Sequence, residues 1–324
     1  MRWQGPKCLH VTHASVLAVM ALLLCAVMVG CGTGIEVTGH VTDKDVRKVI
    51  DQSPNREMTV TLDPYLDSLP AWHQGKRFWV TDDRVKQLFA YSPLYDKDTL
   101  QLAGHVLKYV SHKTGGLFND DDRYVEISLI DSVTNNLYVC RAGKATDANR
   151  RGFTIPMLID LDMVDHTARQ VVGKDYYILT AIWYDRQKEQ MVDGRHYIKV
   201  HIDSVLPGNA VLPLRVLFTT ADTHERAMVW MSNMSSTMHG RDFDALFAAA
   251  DPHLLYPDIS DDTWDLITRS QLEVGMTKEE CRLSIGSPKS INERPDQSAL
   301  SEYWYYDGGS YLYFVDGLLS QFRR

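Results

Sequence analysis

Cysteine is scarce in this chain, which excludes a disulfide-rich scaffold. The 324 residues include five cysteines, and two of them lie within the first 30 residues. Cys140 and Cys281 are the two that follow Cys31, and each stands in an apolar, periodic stretch of sequence. We therefore predict two buried free thiols. A Cys140–Cys281 disulfide, which an oxidising compartment would permit, is the alternative.

Concentrated positive charge is also missing. The formal net charge is -8 at pH 7, from 34 basic and 42 acidic residues. The adjacent basic pairs are Arg47-Lys48, Lys76-Arg77, Arg150-Arg151 and Arg323-Arg324. Because phosphate backbones require a concentrated basic face, we expect no nucleic-acid partner.

Motifs that carry chemistry are absent as well. The twelve histidines form no His-Glu-x-x-His motif, no Cys-x-x-Cys pair occurs, and no serine stands in a Gly-x-Ser-x-Gly elbow. The three aspartates at 120–122 are typical of a solvated hairpin tip, because no further acidic residues follow at calcium-loop spacing. The sequence thus predicts no metal, no cofactor and no catalytic residues.

A methionine-rich stretch between residues 224 and 239 admits two interpretations. Its methionines recur every three or four residues, at Met228, Met231, Met234 and Met238. That spacing predicts one apolar stripe along a helix. Copper binding through the thioethers, near His224 and His239, is the alternative.

One long apolar run stands near the start of the chain. Residues 16–29 contain no charge. The run is too short to span a bilayer comfortably but suits a signal peptide. It ends in Met28-Val29-Gly30-Cys31, which resembles the bacterial lipobox. We expect cleavage between Gly30 and Cys31 and lipidation of Cys31; a plain secretory signal with a chance cysteine is the alternative.

The expected lipid determines the expected location. Several acyl chains on Cys31 would anchor the protein stably, since each buried methylene contributes about 0.8 kcal/mol. Gly32 follows the cysteine, where an aspartate retains lipoproteins in the inner membrane of some bacteria. The sequence therefore predicts an outer-membrane lipoprotein, on either the periplasmic or the surface face.

Short β-like segments dominate residues 58–235, and the predicted fold class is α+β. The predicted parts are a signal peptide (1–30), a tether with a short helix (31–57), a β-rich domain (58–150), a second β-rich domain (151–235), a helical connector (236–261) and a final domain (262–324). Small β-barrels or sandwiches are the expected form of the two β-rich domains.

Two sequence matches suggest that these domains are copies. The Gly-Lys strand at 75–80 parallels the one at 173–178, and Ile-Asp-Ser-Val at 130–133 recurs at 202–205. A repeat requires about 26 extra residues in the first copy, near 83–105. Chance similarity is the alternative. The aspartate of each Ile-Asp-Ser-Val is predicted to close a turn.

The last sixty residues contain clear helix and turn signals. Thr277 and Glu280 form a capping box, and Gly286 with Pro288 ends the helix that it starts. Strands are predicted at 300–306, 310–315 and 318–322, with a type I′ turn at Asp316-Gly317.

The order of motifs in this region is similar to that of the SmpA/OmlA family, the BamE-like module of outer-membrane lipoproteins. The matching runs are Val274-Gly275-Met276-Thr277, Ile285-Gly286-Ser287-Pro288, Tyr303-Trp304-Tyr305-Tyr306 and Phe314-Val315-Asp316-Gly317-Leu318. The resemblance implies a two-layer ααβββ domain over about 262–324. In the family's assembly subunit the module lies close to its lipid, whereas here some 230 residues intervene, so a direct role in β-barrel assembly is not implied.

The resemblance also implies a protein-binding role, because the same fold occurs in β-lactamase inhibitory proteins and other binders. Trp304, Tyr305 and Tyr311 are the partner-contact candidates, although alternate residues such as Trp304 and Tyr306 could instead face the core. We expect a non-catalytic binding or scaffold protein. The alternative is an envelope enzyme or enzyme inhibitor, which would show a deep pocket with convergent titratable groups.

Overall fold

A computed structural model describes residues 59–92, 95–115, 123–233, 240–295 and 300–324. The predicted lipobox with Gly30 and Cys31, and the aspartates at 120–122, lie outside these residues. The described part is a β-rich mixture of short helices and three antiparallel sheets, so the broad α+β prediction is confirmed. Residues 54–324 form one unit.

The first sheet has five strands in the order β4-β3-β2-β1-β5. The strands are β1 (Arg77–Val80), β2 (Val106–Gly115), β3 (Tyr124–Asp131), β4 (Leu137–Lys144) and β5 (Leu158–Asp160), with helix α1 (Ala145–Ala148) after β4. β3 alternates strictly between buried and half-buried residues, as expected for a strand with one face on the core. Because β5 pairs with β1, this sheet extends past residue 150.

Helix α2 (Leu161–Val171) joins the first sheet to the second. Asp160 caps its first turn by accepting from the N–H of Asp162 at 2.9 Å. Its buried face includes Met163, Val164 and Val171, which belong to the core of the second sheet.

The second sheet has seven strands in the order β12-β6-β9-β10-β11-β7-β8. The strands are β6 (Asp175–Ile178), β7 (Ile182–Tyr184), β8 (Met191–Asp193), β9 (Ile198–Pro207), β10 (Leu214–Thr220), β11 (Arg226–Met231) and β12 (Phe247–Ala248), with helix α3 (Phe243–Leu246) before β12. Methionines 228 and 231 therefore lie in strand β11, and the prediction of a helical methionine stripe is wrong for them.

Each of these two sheets contains four adjacent antiparallel strands, β1-β2-β3-β4 in the first and β6-β9-β10-β11 in the second. We call each set of four a meander, although β7 and β8 lie between β6 and β9 in the chain. Gly75 donates to the carbonyl of Tyr109, just as Gly173 donates to that of Ile202. The first strands of the two meanders, β1 and β6, have the same pattern of buried and exposed residues. The β3–β4 and β10–β11 turns each contain a residue of positive φ two positions before the next strand, Asn135 (58°) and His224 (57°).

The repeated Ile-Asp-Ser-Val letters occupy different positions in these meanders. Asp131 closes the β3–β4 turn and accepts from the N–H of Val133 at 3.1 Å, as predicted. Asp203 instead lies inside strand β9, beside a register shift between β9 and β10, so the turn prediction is wrong there. The tight turn of the second meander starts at Thr220.

The C-terminal part packs two helices, α4 (Asp261–Thr268) and α5 (Lys278–Ile285), on one sheet. Ser260 caps α4, and both halves of the Thr277–Glu280 capping box are formed. The sheet has four strands, not the three predicted: β13 (Ser290–Pro295), β14 (Leu300–Tyr305), β15 (Tyr311–Val315) and β16 (Leu318–Arg323). Asp316 and Gly317 both have positive φ, as a type I′ turn requires.

A buried histidine joins this part to the second sheet. The backbone N–H of His196 donates to the carbonyl of Thr268 at 3.0 Å, and its Nε2 lies 2.6 Å from the carbonyl of Ile267. The neighbouring Tyr197 ring meets Trp264 edge to face. The junction is therefore both hydrogen-bonded and packed with aromatic rings.

Candidate functional site

The outer face of the C-terminal sheet presents four tyrosines. Tyr303 and Tyr305 lie on β14, opposite Tyr313 and Tyr311 of β15. The rings of Tyr303 and Tyr313 lie 4.5 Å apart, and those of Tyr303 and Tyr305 lie 6.3 Å apart. We call these four residues the tyrosine face. Asn292 and Gln321 flank it on the neighbouring strands.

The helices cover the opposite face of this sheet. Trp304, Leu312, Phe314 and Leu319 form its core, with residues of α4 and α5. The alternation of β14 and β15 therefore places the four tyrosines on the side opposite to α4 and α5, and Tyr305 is 41% exposed. The tyrosines combine a broad apolar ring with a hydroxyl group, which suits a surface that binds protein.

Trp304 lies in the core, contrary to its prediction as a partner contact. It is fully buried, and its ring packs 4.6 Å from that of Phe314. Its Nε1 donates to Glu302 at 3.1 Å, and the guanidinium of Arg282 lies over its ring, 4.6 Å from the centroid. Tyr305 and Tyr311 belong to the tyrosine face, whereas Tyr306 donates its hydroxyl to the carbonyl of Gly286.

Glu302 is the buried acid beneath this sheet. Lys278 of α5 pairs with it, and the indole of Trp304 donates to its other oxygen. The hydrogen bond from Lys278 lowers the pKa of Glu302 below its ordinary value, although burial opposes the shift. The ion pair fixes helix α5 against the strand that bears two of the tyrosines.

A second polar cluster surrounds Lys76, at the start of β1. Its side chain is fully buried, and its ammonium lies 2.8 Å from Asp160, 3.1 Å from Asp67 and 3.2 Å from Asp162. It also donates to the hydroxyl of Tyr65 at 2.8 Å. Four acceptors thus share three N–H donors, and the carboxylates satisfy a charge that could not otherwise be buried.

The charged groups of this cluster change one another's pKa. Burial alone would lower the pKa of Lys76, but its bonds to Asp160 and Tyr65 raise it above the ordinary lysine value. Burial raises the pKa of Asp160, which the bond from Lys76 opposes. His73, outside the cluster core, pairs with Asp162 at 3.0 Å. Lys76 therefore stays protonated and holds the three carboxylates together.

Clefts lie beside this cluster, next to helix α2. Three neighbouring clefts of about 120, 30 and 420 Å³ share Met163 and Asn233 in their walls. Asp160 lines two of them, and Tyr65 also lines two. Tyr65, Asp67 and Asp160 in these walls are bonded to Lys76, whereas Asp63, Asp242 and Asp244 of the 120 Å³ cleft lie outside the Lys76 cluster.

The two cysteines confirm the prediction of buried free thiols. Cys140 lies in the core of the first sheet and Cys281 in that of the C-terminal part, and neither forms a disulfide. Burial raises the pKa of each thiol to about 12. The described residues bring together no group of three or more His, Cys, Asp or Glu side chains suited to a metal ion.

Sequence reasoning missed Lys76 and half of the tyrosine face. Lys76 stands next to Arg77, where the sequence showed a basic pair, and its carboxylate partners are contributed by distant segments. Tyr303 and Tyr313 did have a signal: once Trp304 and Phe314 are assigned to the core, the period of two along each strand directs the preceding residue, Tyr303 or Tyr313, outward.

In the part of the chain that the structure describes, every helix is too short or too polar to serve as a membrane span. No protein-family model matches the chain. Neither the curated proteins nor the solved structures include a significant match to it.

Proposed function

We propose that this protein is a lipid-anchored lipoprotein of the outer membrane that binds another envelope protein without catalysis. Residues 262–324 would serve as a BamE-like ααβββ module, and lipid on Cys31 would keep the chain at the membrane surface. The observation that carries the proposal is the tyrosine face, an aromatic surface on the side of the C-terminal sheet opposite to its two helices.

The tyrosine face supports a binding role for two reasons. Tyrosine is enriched in protein interfaces, because its ring buries a large apolar area with little loss of side-chain freedom. The tyrosine face also has a rigid base, because its tyrosines alternate along β14 and β15 with buried residues such as Trp304 and Phe314. A rigid surface loses less entropy on binding.

The Lys76 cluster does not favour an enzyme. A general base needs a carboxylate or phenol free to accept a proton. Asp67, Asp160 and Asp162 are all bonded to one ammonium, as is Tyr65. An enzyme inhibitor remains compatible with the proposal, because it too acts by protein contact.

The binding proposal is tested by photo-crosslinking in the intact envelope. A photoreactive phenylalanine replaces Tyr305 or Tyr311, and the exposed Tyr91 (88% exposed) serves as the matched control. We expect one and the same protein to be captured from positions 305 and 311 and not from 91. In a binding assay with that purified protein, Tyr305→Ala should weaken the affinity about tenfold, and Tyr91→Ala should not change it. Equal capture from all three positions would contradict the proposal.

The lipid proposal has its own test. A Cys31→Ser variant should lose incorporation of an alkyne-tagged fatty acid and leave the membranes on carbonate washing. Cys25→Ser, six residues upstream, should keep both the label and the membrane association. Retention of both properties by Cys31→Ser would refute the anchor without bearing on the tyrosine face.

A further inference from the structure

Three arginines line one open cleft at the edge of the first sheet. Arg141 comes from β4, and Arg150 and Arg151 follow α1. The cleft has a volume of about 430 Å³ and also has apolar walls, which include Leu88 and Phe153. It contains no residue of the tyrosine face or of the Lys76 cluster, although it shares Gly152, Phe153 and Thr154 with the 30 Å³ cleft beside that cluster.

Local contacts position two of these guanidinium groups. Arg141 lies over the ring of Tyr124, 4.6 Å from its centroid, and its Nε is 3.7 Å from Glu126. The Nε of Arg150 lies 3.4 Å from Asp147. Glu126 also pairs with Lys113 at 3.0 Å, so its charge is divided between two cations.

The cleft therefore has an excess of positive charge. Asp147 is the acidic residue in its wall, against three arginines. Arg151 forms no ion pair within the described part of the chain. In a chain of net charge -8, this local excess of positive charge would attract an anion.

We propose that this arginine cleft binds a phosphate group attached to an apolar moiety. A guanidinium donates two parallel N–H bonds to oxyanions, and a phosphate has enough oxygens to accept from more than one arginine. A carboxylate has only two oxygens and fits three guanidinium groups less well. Leu88 and Phe153 provide apolar contact for the rest of the ligand. A lipid headgroup and a soluble ester both carry such a phosphate, and the arginines would recognise either one in the same way.

Calorimetric titration of the full chain tests this proposal. The probes are inorganic phosphate, phenyl phosphate, benzoate as the carboxylate of matched shape, and dihexanoyl phosphatidylglycerol below its micellar concentration. We expect phenyl phosphate to bind at least tenfold more tightly than benzoate and to be displaced by inorganic phosphate. Tighter binding of the short-chain lipid than of phenyl phosphate identifies a lipid source, and the reverse order identifies a soluble ester.

Matched arginine variants complete the test. Arg151→Gln and Arg141→Gln should each weaken phenyl phosphate binding about tenfold. Arg169→Gln on α2, an exposed arginine outside the cleft, should change it less than twofold. All three arginines are exposed, so these substitutions leave the core intact. Equal affinity for benzoate, equal loss in Arg169→Gln, or no binding of either phosphate at millimolar concentration overturns the proposal.

Discussion

At the scale of single residues, Lys76 and Lys174 form a natural comparison. Each follows a glycine of positive φ and precedes the first strand of a shared meander. Lys174 is exposed, whereas Lys76 is fully buried among carboxylates. The same local sequence therefore holds a solvated charge in one sheet and an internal one in the other.

This comparison gives the first prediction. Lys76→Met leaves three carboxylates without their shared cation, and we expect it to lower the free energy of unfolding by about 3–5 kcal/mol. Lys174→Met should change it by less than about 0.5 kcal/mol. Urea denaturation at pH 7 measures both. Similar losses for the two variants would show that Lys76 does not hold the cluster together.

Glu302 gives a pH-dependent prediction. Its folded-state pKa is lowered by the bond from Lys278, so its stabilising contribution is present above the ordinary value of 4.5 and is lost as the pH falls through the folded pKa. The free energy of unfolding of the wild-type protein should exceed that of Glu302→Gln by a constant amount from pH 7 to about 5. This difference should shrink toward pH 3. Denaturation midpoints at each pH provide the measurement, and a difference independent of pH would contradict it.

At the scale of elements, local chemistry decided what could be predicted. The caps of α4 and α5 and the Asp316-Gly317 turn depend on neighbouring residues, and all of them form. Strand β13 was missed because its polar sequence ends in Pro295, which is typical of an edge strand. Helix α2 was also missed, although Asp160 and the spacing of Met163, Val164 and Val171 indicate it.

Contacts between distant segments could not be read from the chain. Asp67, Asp160 and Asp162 meet Lys76 only because β5 pairs with β1 and the preceding segment folds back over them. Asp131 and Asp203 occupy different positions in the two meanders for the same reason. A strand register is set by cross-strand packing and not by a four-letter sequence match.

The junction at His196 gives a prediction about how α4 is held. Burial lowers the pKa of His196, against its bond to the carbonyl of Ile267. Folding therefore favours the neutral ring, and stability should fall as the pH drops below the ordinary value of 6.5. The protection factors of residues 261–268, which correct for the intrinsic pH dependence of amide exchange, should fall from pH 7 to pH 5.5 more in the wild-type protein than in a His196→Gln variant. An equal change in both proteins would exclude His196 as the cause.

At the scale of the whole molecule, the two cysteines report on distant cores. Both thiols are buried, with pKa values raised to about 12, so neither should react with a thiol reagent before unfolding. Because residues 54–324 form one unit, we expect Cys140 and Cys281 to become reactive at the same urea concentration. Site-resolved mass spectrometry distinguishes them, and separate midpoints would contradict cooperative unfolding.

Lys76 also determines how the polypeptide can be divided. A fragment that ends before Asp160 retains the ammonium but loses two of its three counter-ions, together with strand β5. A fragment that starts at residue 161 begins at α2 without its cap. Shortened versions for crystallisation or binding assays should therefore keep residues 59–171 uninterrupted, and any cut intended to isolate the C-terminal part belongs downstream of the second sheet.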